Sequence, residues 1–418
     1  MLVFASDIHL TDGTSGTTID HGAFAKFARY LGLMAESAGA RQIEIVLLGD
    51  IFDVIRSATW LKTTIRPWSE EADTDATGKS LKDYALKITR DVLARPNNVK
   101  CADHLKDFRK TMRANGIEVT FTYIMGNHDW LINRYPEARI AIAEFLAQDD
   151  PASCQDKQFD TSAYWRPYRV FARHGDVYDP FNFEECRDAS SLGDAIVIDL
   201  LNRFPQAVED EIGKQTDPDL VKLLREVDNV RPLLDVPLWV DGACRQVKSP
   251  SVGKKVKKVW DRLVDRFLTM DFVKERDRPF VRDPVDDLQA ALRISKLFRL
   301  RTMAEIARLR VWKLFSKEPG YPERAFNEDI VKDHRAQFVV YGHTHQYGIH
   351  PLDQCVSDGS VLRKMYFNTG TWRKVYERAK CENSGREFLG WHVMTFIAFY
   401  LKKERHSRPF EVWNGALG

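Results

Sequence analysis

The chain lacks the marks of several protein classes. Its six cysteines, Cys101, Cys154, Cys186, Cys244, Cys355 and Cys381, contain no C-x-x-C pair. That spacing argues against a disulfide framework or a zinc knuckle and predicts reduced thiols in a cytosolic protein. Long apolar runs are missing too. Val393 to Leu401 is the longest candidate, about half of the roughly 20 residues that a bilayer crossing needs. No sign of charge dominates: 62 Lys and Arg face 60 Asp and Glu, so the whole molecule is not an evident nucleic-acid binder. There is no internal repeat and no low-complexity tract. The apolar stretch Leu2-Val3-Phe4-Ala5 reaches Asp7 at once, which leaves no room for a signal peptide. A cytoplasmic location is expected, peripheral membrane contact stays open, and no obligate protein partner is indicated.

What is present suits a globular protein with a sizeable core: 418 residues, 44% apolar and 29% charged. Five short motifs stand out, in fixed order. They are Asp7-Ile8-His9, Gly49-Asp50 with Asp53 behind it, Gly126-Asn127-His128-Asp129, His174-Gly175-Asp176, and Gly342-His343-Thr344-His345. Each follows an apolar run and so falls where a strand should end. Oxygen and imidazole ligands gathered at several strand ends are what a site for two divalent metals requires.

The first half reads as alternating strands and helices. Strands are expected at Leu2–Ser6, Ile43–Leu48, Val119–Met125 and Tyr168–Ala172, and helices around Phe24–Met34, Leu81–Leu93, His104–Ala114 and Pro136–Ala147. Asn115-Gly116 is a helix stop, and Ser69–Lys79 reads as a loop. Such alternation predicts a layered α/β core. Between Pro180 and His334 helical periodicity takes over, as in Val256, Trp260, Leu263, Val264 and Phe267, then Leu288, Leu292, Phe298 and Met303. The stretch is locally basic: Lys254, Lys255, Lys257, Lys258, Arg262 and Arg266, then Arg293, Lys296, Arg299, Arg301, Arg308 and Arg310. The expected organisation is core at 1–180, a mostly helical insertion or cap at 181–334, and core again at 335–418, with strands at Ala336–Tyr341 and Lys364–Asn368.

Residues two apart on a strand share a side. Asp7 and His9 can therefore grip one metal while Ile8 faces the core, and His343 and His345 can be divided between two. Asp50 suits a carboxylate bridging both ions, Asn127 offers a neutral carbonyl oxygen and His174 an imidazole. Two ions roughly 3.5–4 Å apart can hold a hydroxide between them and clamp phosphoryl oxygens. His128 is the candidate general acid, oriented by Asp53, with Asp129 and Asp176 supporting the ligands from behind. Singly, each motif is weak, because D-x-H and H-x-H recur by chance. Their joint order and seven ligands argue against coincidence. His21, His104, His334, His350, His392 and His406 have no such support and read as structural. Trp260, Trp312 and Phe298 sit on the apolar phase of the helices and read as core.

These five elements resemble the calcineurin-like metallophosphoesterase superfamily, whose pattern is D-x-H, G-D-x-x-D, G-N-H-D/E, a lone His and G-H-x-H. Every position is filled here, over 1–180 and 335–418 but not the insertion. The resemblance implies a four-layer α/β sandwich with two mixed central sheets. It implies a dimetal centre, most often manganese, with iron or zinc as alternatives. Asp7, His9, Asp50 and His345 would hold one ion, and Asp50, Asn127, His174 and His343 the other, with His128 as acid paired to Asp53. Val54-Ile55 stand where the protein phosphatases carry Arg-Gly. Gly49-Asp50-Ile51-Phe52-Asp53 with Gly126-Asn127-His128-Asp129 is similar to the DNA-repair nucleases of the superfamily. His174 to Asp179 and Asn368-Thr369-Gly370-Thr371-Trp372 are closer to the bacterial UDP-2,3-diacylglucosamine pyrophosphatases, which commonly have arginine at the His128 position and a far shorter insertion.

The expected function is hydrolysis of a phosphodiester or pyrophosphate, in a nucleotide-type or other phosphorylated small molecule, by hydroxide held between the ions. A nuclease on DNA or RNA is the alternative, and a non-catalytic metal-binding scaffold a third. The basic insertion is consistent with docking on anionic lipid, guiding a nucleic-acid backbone, or simply presenting a solvated helix face.

Overall fold

The computed structural model describes residues 1–212, 218–231, 236–246, 251–277, 284–297, 320–357, 360–379 and 388–417. Phe298, Met303, Trp312, Arg299, Arg301, Arg308, Arg310 and Cys381 lie outside them. The described cysteines, Cys101, Cys154, Cys186, Cys244 and Cys355, are free thiols. Among the described residues no helix is long and apolar enough to cross a membrane.

The strands are β1 (Leu2–Ala5), β2 (Gln42–Leu48), β3 (Glu118–Ile124), β4 (Ser162–Trp165), β5 (Val170–Arg173), β6 (Val230–Arg231), β7 (Phe338–Tyr341), β8 (Tyr347–Ser357), β9 (Ser360–Thr369), β10 (Lys374–Arg378), β11 (Phe388–Phe399) and β12 (Phe410–Leu417). They form two mixed sheets, so the fold is α/β. The first runs β3-β2-β1-β11-β10-β6 with β12 on β11, and the second β4-β5-β7-β9-β8. β1, β2 and β3 are mutually parallel, as are β5, β7 and β9. The first of these sets is the strand–helix alternation read from the sequence.

Side-chain alternation builds the layers. Leu2 and Phe4 of β1, with Val46 and Leu48 of β2, point toward the second sheet and meet Val170, Ala172, Val340 and Phe367. The intervening Val3, Ala5, Ile43, Ile45 and Leu47 point outward, onto the helices. A one-residue slip would exchange the two faces, so burial on both sides pins the register. The outer face of the first sheet is covered by α1 (His21–Ala38), α2 (Leu81–Ala94) and α3 (Pro96–Ala114). Helix α1 buries Phe24, Phe27, Leu31 and Ala35 at helical spacing. Asp20 caps its start, and a capping box between Ser80 and Asp83 starts α2. The outer face of the second sheet (Phe171, Val339, Tyr341, Tyr366) packs on Ala325 and Val331 from two short helices.

The sequence reading missed β11. The apolar run Val393–Leu401 lies largely within this strand, which pairs with β1 (Leu2 opposite Phe399) and with β10. A partner almost 400 residues away leaves no local trace. It also missed β6, two residues of the insertion that join the first sheet parallel to β10. Residues between Leu192 and Leu292 form most of another core cluster, in which Val256, Val259, Leu263, Val264 and Phe267 of the helix Val252–Leu268 pack on Leu200, Phe204, Val208 and Trp239, and Tyr376 of β10 belongs to it as well. Trp260 packs edge-on against Phe204, with ring centres 5.4 Å apart.

Candidate metal centre

Five parallel-strand ends supply the motif residues. Asp7 and His9 follow β1, Asp50 and Asp53 follow β2, Asn127 and His128 follow β3, His174 follows β5, and His343 and His345 follow β7. Because neighbouring parallel strands end on the same side, these side chains meet at one edge of the paired sheets, the usual ligand position in open α/β folds.

The expected same-side pairing of Asp7 and His9 along a strand is not what places them. Strand β1 ends at Ala5, and Asp7 and His9 both have φ of 51°. Asp50 (53°), His343 (68°) and His345 (58°) share this left-handed conformation. Each costs an L-residue about 1–2 kcal/mol. Neighbouring hydrogen bonds enforce it: Asp7 N donates to Gly49 O at 3.1 Å and His9 N to Asp50 O at 2.9 Å. Thr371 Oγ1 and Trp372 N both donate to Asp7 O, at 2.8 and 3.1 Å. The segment after β9 is thus a clamp on the first motif.

Two glycines let the motifs close. Gly49 has φ of 80°, and a Cβ there would collide with the His174 ring. A Cβ at Gly126 would strike the Asp50 carboxylate.

Two ligand clusters lie side by side, Asp7/His9/His345 and Asp50/His174/His343. In the first, His345 Nε2 is 3.1 Å from His9 Nε2 and 3.2 Å from Asp7 Oδ1. In the second, His174 Nε2 is 3.2 Å from Asp50 Oδ2, and His343 Nδ1 is 3.0 Å from Asn127 Oδ1. Asp50 Oδ2 also lies 3.8 Å from His9 Nε2, so this carboxylate stands between the clusters. A third grouping, His9/Asp53/His128, is held by Asp53: Oδ2 lies 2.9 Å from His9 Nδ1, and Oδ1 2.9 Å from His128 Nδ1. Asp53 therefore positions a candidate ligand as well as the candidate acid.

The residues present fit a divalent cation. Nδ1 of the buried His174 donates to Leu48 O at 2.9 Å, and its Nε2, turned inward, makes no hydrogen bond and faces the Asp50 carboxylate at 3.2 Å. Orphaned buried nitrogens are rare, and a cation would satisfy this one. His343 presents Nδ1 inward while Nε2 meets Asp179 Oδ2 at 3.0 Å, a carboxylate–imidazole arrangement typical of metal ligands. Asp7, His9, Asp50, Asp53 and His174 are all at most 1% exposed. His128 is the more open, with 17% of its side chain exposed.

Electrostatics follow from so many buried carboxylates. Burial opposes the charge on His174, but Asp50 and Asp7 outweigh it and raise its pKa to about 10. Burial likewise opposes charge on His128, and Asp53 with Asp50 raises it to about 9. Burial pushes Asp53 up, yet His128 and His9 hold it well below the usual carboxylate range. His345 goes the other way: burial presses it down to about 3, Asp7 pulls it up and Arg231 adds to the lowering. Asp129, raised to about 7 by burial and by Asp50, accepts from Gly126 N, Ile51 N and Tyr123 Oη, which ties the third motif to the second. Asp176 is fully buried and paired with Arg187. The pocket is acidic and needs positive charge.

Several participants escaped the sequence reading. Asp179 lies inside His174-Gly175-Asp176-Val177-Tyr178-Asp179, a run that was recognisable but not assigned. Asn182 Oδ1 accepts from Asn127 Nδ2 at 3.2 Å. Arg231, Asp228 and Arg373 had no local signal. Arg231 Nη2 is 2.8 Å from His345 Nδ1, and Arg373 pairs with Asp228 at 2.8 Å. Among the unassigned histidines, His21 and His104 contact each other at 3.1 Å, away from the site.

The chain matches no family model and no curated protein.

Proposed function

We infer that the protein is a dinuclear metal-dependent phosphoesterase of the calcineurin-like type, its two mixed sheets forming the sandwich of that superfamily. The observation that carries this reading is the adjacency of the Asp7/His9/His345 and Asp50/His174/His343 clusters, with Asp50 between them and its Oδ2 3.2 Å from the inward Nε2 of His174. Asp7, His9, Asp50 and His345 would hold one ion, and Asp50, Asn127, His174 and His343 the other. Manganese is the preferred metal, with iron or zinc as alternatives. Bound ions supply Lewis acidity and acidify water toward neutrality.

The chain's own residues do the rest. Asp53 and Asp179 fix the outward nitrogens of His9 and His343, so that the inward nitrogens stay aimed. Leu48 O does the same for His174. His128, kept protonated by Asp53 and Asp50, has Nδ1 committed to Asp53, which leaves Nε2–H for the departing oxygen. Its partial exposure suits contact with a leaving group. The substrate class we favour is a phosphodiester or pyrophosphate of nucleotide type.

On the described insertion, Lys257 pairs with Asp261, Arg262 with Glu211 and Lys296 with Asp265. The helix Val252–Leu268 buries its apolar face in the insertion's own core. These pairings weigh against a nucleic-acid track. Manganese-loaded protein is expected to hydrolyse bis-p-nitrophenyl phosphate. Asp50→Ala should cost on the order of 10³-fold in turnover, since charge stabilisation worth several kcal/mol is lost. Unchanged turnover in that variant ends the reading.

A further inference from the structure

Four histidines line the two clusters, and their outward nitrogens do not meet the same kind of partner. His9 Nδ1 faces Asp53 Oδ2 at 2.9 Å, His174 Nδ1 faces Leu48 O at 2.9 Å, and His343 Nε2 faces Asp179 Oδ2 at 3.0 Å. Each partner is an acceptor, as a neutral imidazole holding a cation through its other nitrogen requires. His345 is the exception. Its Nδ1 lies 2.8 Å from Arg231 Nη2, and a guanidinium offers donors only. In this contact His345 Nδ1 must accept, so the ring hydrogen sits on Nε2, which faces Asp7 Oδ1 at 3.2 Å. That tautomer has no lone pair on Nε2 for a cation. Turning Nδ1 to the cation instead would displace Arg231. By either route, coordination through His345 and the Arg231 contact exclude each other.

Once displaced, Arg231 has little to retreat to. Nη1 is occupied by the carbonyls of Asp228 and Val230, at 2.6 and 3.0 Å. The Asp228 carboxylate is already shared by Arg373 at 2.8 Å and Arg56 at 3.3 Å. Among the described residues no carboxylate lies within ion-pair distance of Arg231. Arg56 and Arg373 thus share one carboxylate while Arg231 meets backbone carbonyls and His345, and buried nitrogens on Arg56 (Nε, Nη1) and Arg373 (Nε) have no hydrogen-bond partner. Arg231 is therefore a guanidinium without a carboxylate of its own beside the first ligand cluster, on a strand that lies within the insertion and pairs with the core at β10. Geometry, rather than overall charge, singles out Arg231: it is the member of the trio that reaches a candidate ligand.

Building on the phosphoesterase reading, we propose that Arg231 is the substrate's phosphate anchor, released from His345 when that histidine takes up a cation and then bound to a non-bridging phosphoryl oxygen. The insertion would thereby contribute a specificity-determining group to the core site. Guanidinium geometry suits the task, since its fork matches phosphate oxygens.

Calorimetry tests this with inorganic phosphate as the probe, on protein first titrated with Mn²⁺. Arg231→Ala and Arg231→Gln are expected to weaken phosphate binding by about 10- to 100-fold, or about 1.4–2.8 kcal/mol. Their Mn²⁺ affinity should equal or exceed that of the wild type, because a competitor for His345 has gone. The glutamine variant keeps most of the side-chain bulk and serves if the alanine variant does not fold. Phosphate binding at wild-type strength in a folded, Mn²⁺-loaded variant overturns the proposal. Loss of Mn²⁺ affinity also overturns it, because Arg231 would then be an orienting partner of the ligand. A wild type that takes up no Mn²⁺ instead fails the phosphoesterase reading, and the anchor falls with it.

Discussion

At the strand ends and on the insertion, ionisable groups are handled in opposite ways. The strand ends bury theirs. Asp7, Asp50, Asp53, His9 and His174 are at most 1% exposed, several on strained backbone, and the cost is offset only if charge is balanced within the pocket. The helix Val252–Leu268 of the insertion turns its charges out. Lys254, Lys255 and Lys258 are exposed on a helix whose opposite face is apolar. The first arrangement tolerates almost no substitution, while the second asks only that the apolar phase be kept. Besides β6 and the arginines around Asp228, buried contacts join them: Trp130 Nε1 donates to Asp194, Asn202 bonds both Ser15 and the Ile55 carbonyl, and Arg66 pairs with Asp199. The lesson is that a stretch with an apolar cluster of its own can still place polar side chains, Asn182 and Arg231, against a deeply buried site.

Three substitutions sharpen this contrast. The largest effect is expected at the edge of the buried site, where His128→Gln should lower turnover by about 10²–10⁴-fold while metal content, read by elemental analysis, stays at the wild-type level. Loss of metal in that variant would instead make His128 a ligand. Next comes the insertion's core. Phe267→Ala removes a ring that is 1% exposed and should cost about 3–5 kcal/mol of local stability in a denaturant titration. Metal uptake by the folded fraction should be unchanged, and a parallel loss of metal would show that the two regions are not energetically separate. The smallest effect belongs to the charged face. Lys254→Ala should shift stability by no more than about 0.5 kcal/mol, and turnover of a small phosphodiester should not move. A clear fall in turnover would assign that face to substrate binding.

Much of the core was legible because its signals are local. The nearly continuous apolar run Ile43–Leu48, the spacing of Phe24, Phe27 and Leu31, and Asn115-Gly116 at the end of α3 all act within a few residues. Helix α3 nevertheless starts at Pro96, well before its expected start, because proline suits a first turn whose apolar pattern is weak. Placement of the motif residues at strand ends was likewise legible. How they are presented was not: left-handed φ at Asp7, His9, Asp50, His343 and His345 arises from hydrogen bonds to other segments, not from strand alternation. The role of Asp53 between two histidines depends on β1 and β3 converging on β2.

By itself, then, the order of residues determined the α/β character, the helical nature of the insertion and the inventory of oxygen and imidazole donors, since periodicity and residue chemistry are local properties. Tertiary structure alone decided that β11 separates β1 from β10, that Asp50 stands between two clusters, and that Arg231 reaches His345 across 114 residues of chain. Such contacts form because burial and charge balance must be met over the whole pocket at once, and no window of neighbouring residues contains that condition.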